Sequence, residues 1–95
     1  MILGKIAGTV VSSTLNIDIE GGRYLLVDKC NQHGAVKGDF IVALDLVGAG
    51  HGELVLLAES SSARETPATV NKAIDAAVVA IIDMIDENET IVYKK

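Results

Sequence analysis

Ninety-five residues carrying 13 acids and 8 bases make one small domain, spanning 1–95, with a net charge of −5. That length leaves no room for a second core. That charge excludes the basic footprint of a nucleic-acid binder or of a polybasic membrane-surface module. Hydrophobic residues make up 49% and aromatics only 3% (Tyr24, Phe40, Tyr93), so the apolar mass is Val, Ile, Leu and Ala, enough to exclude disorder.

Cys30 is the single cysteine, so no intrachain disulfide is expected, as fits a reducing cytoplasm. Met1-Ile2-Leu3-Gly4-Lys5-Ile6 has neither a basic n-region nor an apolar h-region, and no signal peptide is expected. The longest apolar run, Ala76 to Ile82, is far shorter than the roughly 20 residues of a membrane span. A mean hydropathy of +0.39 is high for so small a soluble monomer. It predicts apolar surface buried against other copies.

The chain reads as short β-rich runs between turn residues. The first covers Ile2 to Thr14. Simple alternation puts Ile6, Gly8, Val10 and Ser12 on one face and Lys5, Ala7, Thr9 and Val11 on the other. Gly4 and Gly8 within it predict a bend or a close backbone approach. A polar loop, Asn16 to Gly22, leads to a second run over Arg23 to Cys30. Asn31-Gln32-His33-Gly34 is a turn with Gly34 at positive φ. The third run, Asp39 to Val47, sets Ile41, Ala43 and Asp45 against Phe40, Val42, Leu44 and Leu46. Gly48-Ala49-Gly50-His51-Gly52 ends it, and Glu53 to Ala58 is the fourth run.

From Val70 to Ile85 the pattern fits a helix by spacing and a strand by its β-branched Val78-Val79 and Ile81-Ile82. The expected compromise is one helical turn over Asn71 to Asp75, then a strand from about Ala77 to Ile85. Asp86-Glu87-Asn88-Glu89 is a turn, and Thr90 to Tyr93 a last strand. A frayed chain end would make loss of Lys94 and Lys95 mild. Five or six strands at this spacing predict a mainly β fold, a small closed antiparallel OB-like barrel with one short helix before the penultimate strand.

Few residues carry chemistry. Cys30 and His33 are three apart, but a structural zinc needs four ligands and no second Cys/His pair exists. His33 and His51 fit no nucleophile motif, and the acids Asp83, Asp86, Glu87 and Glu89 read as solvated turn residues. No catalytic residue, cofactor or metal is expected, and the chain is not expected to be an enzyme. Gly48 to Gly52 lacks the dinucleotide fingerprint and the Gly-Lys-Ser/Thr ending of a P-loop. Its glycines predict a tight turn that another backbone can approach. An OB barrel raises nucleic-acid binding as the alternative function, and three aromatics with a negative charge weigh against it. Ser60-Ser61-Ser62-Ala63-Arg64 reads equally as a tight contact with Arg64 paired across an interface or as a solvated loop.

Several segments in order resemble the EutN/CcmL family of bacterial microcompartment vertex proteins. They are Gly8-Thr9-Val10-Val11-Ser12, Gly21 and Arg23 before Leu25-Leu26-Val27, and Val42-Ala43-Leu44-Asp45 running into Gly48-Ala49-Gly50-His51-Gly52-Glu53. Val55-Leu56, Ser61-Ser62-Ala63-Arg64 and Asp75 to Asp83 follow. Ser60 and Ala73 depart from the family's usual Gly and Pro. The resemblance implies a non-catalytic shell protein in the cytoplasm. It implies a homopentamer that caps a vertex of a polyhedral shell and meets hexameric shell proteins, with no nucleic acid or membrane as partner. It marks Gly48, Ala49, Gly50, Gly52, Glu53, Ser61, Ser62, Ala63 and Arg64 as candidate subunit contacts.

Overall fold

Alternation along the strands decides which side chains line the interior. In the computed structural model, which describes residues 1–12, 22–59 and 75–95, five strands close a barrel in the order β1-β2-β3-β5-β4. They are β1 (Ile2–Val10), β2 (Tyr24–Cys30), β3 (Val36–Asp45), β4 (Leu54–Glu59) and β5 (Ala76–Ile81). Inward-facing Ile6, Leu25, Val27, Ala43, Val55, Leu57 and Val78 form the main core with Ala49 and Ala76. Each large aliphatic side chain buried there contributes about 1.5–3 kcal/mol. A second cluster, Leu44, Ala58 and Ala77 with Tyr24, Leu46 and Val79 against it, lies on the outward side of the wall.

Four seams of the barrel are antiparallel, but β3 and β5 pair in parallel, Leu44 with Ala77 and Asp45 with Val78. The all-antiparallel expectation is corrected there. β3 and β4 follow one another along the chain but do not pair; β5 lies between them in the barrel, antiparallel to β4 and so parallel to β3, an arrangement that pairing successive strands does not supply.

The expected faces of β1 are also corrected. Gly4 pairs with Lys29 and Ile6 with Val27, but a register shift before Gly8 pairs Gly8 with Leu26 and Val10 with Tyr24. The extra residue, Ala7, reverses the alternation. Ile6 is buried in the core, whereas Gly8 and Val10 stand on the outward face with Leu26 and Tyr24. Gly4 meets its expectation of close approach: a Cβ there would overlap the Val27 side chain and press on Leu57.

No helix occurs among the described residues. The helical turn expected over Asn71 to Asp75 falls outside them except for Asp75, a bend that leads into β5. The strand expected through Ile85 is two strands. β5 ends at Ile81, and β6 (Met84–Glu87) pairs with β7 (Thr90–Lys94) as a separate hairpin. Its turn is Asn88-Glu89, both at positive φ (53° and 66°), the mirror-image turn that suits the right-handed twist of two strands. The Ile82 N–H donates to the Leu54 carbonyl at 2.8 Å, so the hairpin leaves the barrel beside β4.

The 31–35 turn forms as expected. Asn31 Oδ1 accepts from the backbone N–H of His33 (2.9 Å) and of Ala35 (3.1 Å), and Gly34 has φ +81°. Cys30 is buried, and burial pushes its thiol up despite Lys5 and Lys37 nearby.

Candidate functional site

The loop between β3 and β4 holds most of the residues singled out above. It begins at Asp45, the last residue of β3, whose side chain is only 3% exposed. Asp45 Oδ1 accepts from the backbone N–H groups of Val47 (3.1 Å), Gly48 (3.0 Å) and Ala49 (3.3 Å). Gly48 at φ +74° turns the chain so that these amides converge on one oxygen. The other oxygen, Oδ2, accepts from Arg23 Nη1 at 3.3 Å, and the same nitrogen donates to the Ala49 carbonyl at 3.1 Å. One carboxylate thus satisfies amides that leave the sheet with no strand partner.

Ala49 is fully buried in the main core. The second half of the loop is fixed by Glu53. Its Oε1 accepts from the Gly50 N–H at 2.5 Å, and its Oε2 meets Lys95 Nζ at 2.6 Å. Lys95, and then the Gly50 amide, hold the Glu53 carboxyl below the usual carboxylate range, while Glu53 pushes the Lys95 ammonium up. A Cβ on Gly50 would come within 3.2 Å of Glu53 Oε1, so the bare glycine gives the carboxylate room over the amide. Backbone bonds stitch the loop to β1: Gly52 N–H to the Ile6 carbonyl at 2.9 Å, and Ile6 N–H to the Glu53 carbonyl at 3.0 Å.

Of the predicted contact residues, Gly48, Ala49, Gly50, Gly52 and Glu53 are brought together in this loop. Gly48 and Gly52 are exposed, and a Cβ at either would meet nothing within 4 Å. Within one subunit these two are glycines for positive φ (+74° and +81°), not for a close neighbour. Glu53 has both its oxygens engaged inside the chain. Ser61, Ser62, Ala63 and Arg64, with Ser60 and Ala73, lie outside the described residues.

Sequence reasoning missed Asp45, Arg23 and Lys95 as the groups that build the loop. An Asp at the end of an apolar run, three residues before a glycine-rich break, is a signal for an amide-accepting turn and was available at Asp45. No local signal pairs Arg23 with Asp45 or Lys95 with Glu53. The chain end is also not frayed: the Lys95 N–H donates to the Asp83 carbonyl at 2.9 Å, and its side chain holds Glu53. Apart from this loop, Lys29 Nζ lies 3.1 Å from Glu59 Oε1 and 3.6 Å from Asp39 Oδ2, and Glu59 foremost pushes the Lys29 ammonium up.

A family model described as "Ethanolamine utilisation protein EutN/carboxysome" matches residues 1–83, the barrel up to the start of the hairpin. The chain belongs to the EutN/CcmL family. The bacterial microcompartment shell vertex protein GrpN of Rhodospirillum rubrum is 41% identical over 86 residues, covering 90% of this chain and 97% of that protein. The shell vertex protein PduN of Salmonella typhimurium is 43% identical over 90 residues, covering 90% and 98%. The solved structure of Gloeobacter violaceus CcmL superposes with a TM-score of 0.94 at 35% identity, over 100% of this chain and 98% of that one. The solved structure of Rhodospirillum rubrum GrpN, described as a pentameric microcompartment shell protein, gives a TM-score of 0.79 at 40% identity over 92% and 98%. The family match covers the barrel, and the likeness to the CcmL structure extends along the whole chain, hairpin included. Among the described residues, no helix is long and apolar enough to cross a membrane.

Proposed function

We propose that this EutN/CcmL chain closes into a five-membered ring that caps vertices of a bacterial microcompartment shell, beside hexameric shell proteins. The observation that carries this is the likeness to GrpN, a pentameric shell protein, over 92% of the chain at 40% identity. The physical reason for the role is geometric. A flat layer of six-fold tiles does not close, and a five-fold tile at each corner supplies the missing curvature. A five-membered ring is a head-to-tail interface whose rotation closes on itself.

In this reading the chain works by shape, with no chemical step. The loop from Gly48 to Glu53 forms one side of the contact, with Gly48, Gly50 and Gly52 offering a low surface to the neighbour and Glu53 holding it in shape. Buried Ala49 supports the loop from below. Ser61, Ser62, Ala63 and Arg64 complete the contact, with Arg64 as its charged partner. The alternative of a nucleic-acid-binding module gains no support from the relatives, and the net charge of −5 opposes it.

The test is co-production with a hexamer-forming shell protein, followed by electron microscopy. Closed polyhedral particles carrying this chain, and open sheets or tubes without it, are the expected pair of results. Closed particles that exclude the chain would refute the vertex role.

A further inference from the structure

The β6–β7 hairpin meets the glycine-rich loop at one pair of side chains, Lys95 and Glu53. We infer that the hairpin is a hinged arm whose docking on the barrel sets the shape of the second half of that loop. Its consequence for assembly rests on the ring proposed above; the docking itself does not.

The way the hairpin is attached makes it an arm. Among the described residues, β6 and β7 form a sheet of their own, with no ladder to a barrel strand. Ile82 and Asp83, which belong to no strand, join it to β5 and are its hinge. Its base is pinned at one place. The Ile82 N–H donates to the Leu54 carbonyl, the Lys95 N–H donates to the Asp83 carbonyl, and Lys95 Nζ reaches Glu53, the residue before Leu54. Beyond the base the arm rests on the 31–35 turn. Gln32 Nε2 donates to the Glu87 carboxylate, and a Cβ on Gly34 would lie 3.5 Å from the Tyr93 ring. These outer ties are made by side chains, so the arm can lift while the ladders of the barrel stay intact.

The loop has two halves that differ in what holds them. Asp45, almost fully enclosed, takes the Val47, Gly48 and Ala49 amides together with Arg23 and does so without the hairpin. In the second half the Gly50 N–H donates to Glu53 Oε1, and the Glu53 N–H donates back to the Gly50 carbonyl at 3.2 Å. The Glu53 side chain is 22% exposed and its other oxygen is held by Lys95, itself 50% exposed. With the arm lifted, water takes the place of Lys95, the carboxylate is free to turn outward, and the Gly50 amide loses its cover. The coupling is reciprocal: whatever fixes Gly50 to Glu53 from outside, a neighbouring copy included, also holds the arm down.

Amide hydrogen exchange, followed residue by residue by NMR on the full chain, tests this with Lys95→Met, Lys95→Arg and Glu53→Gln. In Lys95→Met the Gly50 amide and the hairpin amides are expected to exchange about two- to fivefold faster, with Gly48 and β4 unchanged. Lys95→Arg keeps the ion pair and is expected to match the parent. Glu53→Gln keeps an acceptor for Gly50 without the charge, and its hairpin amides are expected to speed up more than Gly50. Added salt screens a pair this exposed, so it is expected to speed the same amides in the parent and not in Lys95→Met. Unaltered Gly50 exchange in folded Lys95→Met would overturn the coupling. So would an equal acceleration of Gly48 and β4, the mark of a general loss of stability. Sedimentation of the same samples separates the two readings. A parent that stays monomeric overturns the ring alone, because the arm is judged by exchange; a ring with unaltered Gly50 exchange overturns the arm alone.

Discussion

At the residue scale the loop depends on two carboxylates. Asp45 accepts from three backbone amides and from Arg23, and is almost fully enclosed. Asp45→Ala leaves those amides without their acceptor at a cost of about 1–3 kcal/mol, a fall in Tm of roughly 5–15 °C for a chain this size. Asp45→Asn keeps one acceptor oxygen and is expected to lose less; calorimetry of both variants checks the order. Glu53 is poised differently, at the surface. Lys95 and the Gly50 amide lower its pKa in the folded state, so its contribution is present above the ordinary glutamate pKa. That contribution is lost as pH falls through the lowered folded value. The parent is therefore expected to lose stability on acidification below the ordinary carboxylate range, and Glu53→Gln to start lower and vary less. Equal slopes of Tm against pH for the two proteins would exclude Glu53 as a source of acid sensitivity. Gly48→Ala places a Cβ at φ +74°, costing about 1–2 kcal/mol, and Gly48→Asn is expected to recover part of it.

The strands differ in what holds them. The barrel strands share a buried core, whereas β6 and β7 pair only with each other in their sheet. A lone two-stranded hairpin is marginal in water, so its anchors matter: Lys95 to Glu53 and Asp83, and Gln32 Nε2 to the Glu87 carboxylate at 3.2 Å. Hairpin amides are expected to exchange hydrogen faster than those of β4. Lys95→Ala is expected to speed hairpin exchange severalfold while leaving β4 unchanged. Glu89→Gly is expected to slow it, because Glu89 occupies a left-handed position (φ 66°) that favours glycine. What the residues revealed at this scale follows from the physics. β2 was legible because it alternates buried and half-buried positions, β3 because its apolar residues alternate in the sequence, and β4 because its apolar run follows a glycine-rich break. Gly8 marked a bend in β1, but the reversal of faces at Ala7 was not legible, since it is set by pairing with β2. The parallel β3–β5 seam was illegible because it joins segments distant along the chain. The end of β5 was overrun because Ile82 continues an apolar, β-branched run that only its partner strand terminates.

For the whole molecule, the glycine-rich loop was legible as a site and only partly legible as chemistry. Its glycines marked a special backbone, but the groups that shape it, Asp45, Arg23 and Lys95, come from three separated parts of the chain. Alternation in the third run grouped Phe40 and Val42 on one face but did not say that this face is exposed, and a mean hydropathy of +0.39 counts apolar residues without saying where they point. Family membership accounts for the barrel, and closure into a ring is the step from fold to function. Native mass spectrometry of the purified chain across dilution tests that step most directly. A species of five times the 10.0 kDa chain, persisting into the micromolar range, is the predicted result. A spectrum of monomers alone at the same concentrations would contradict it.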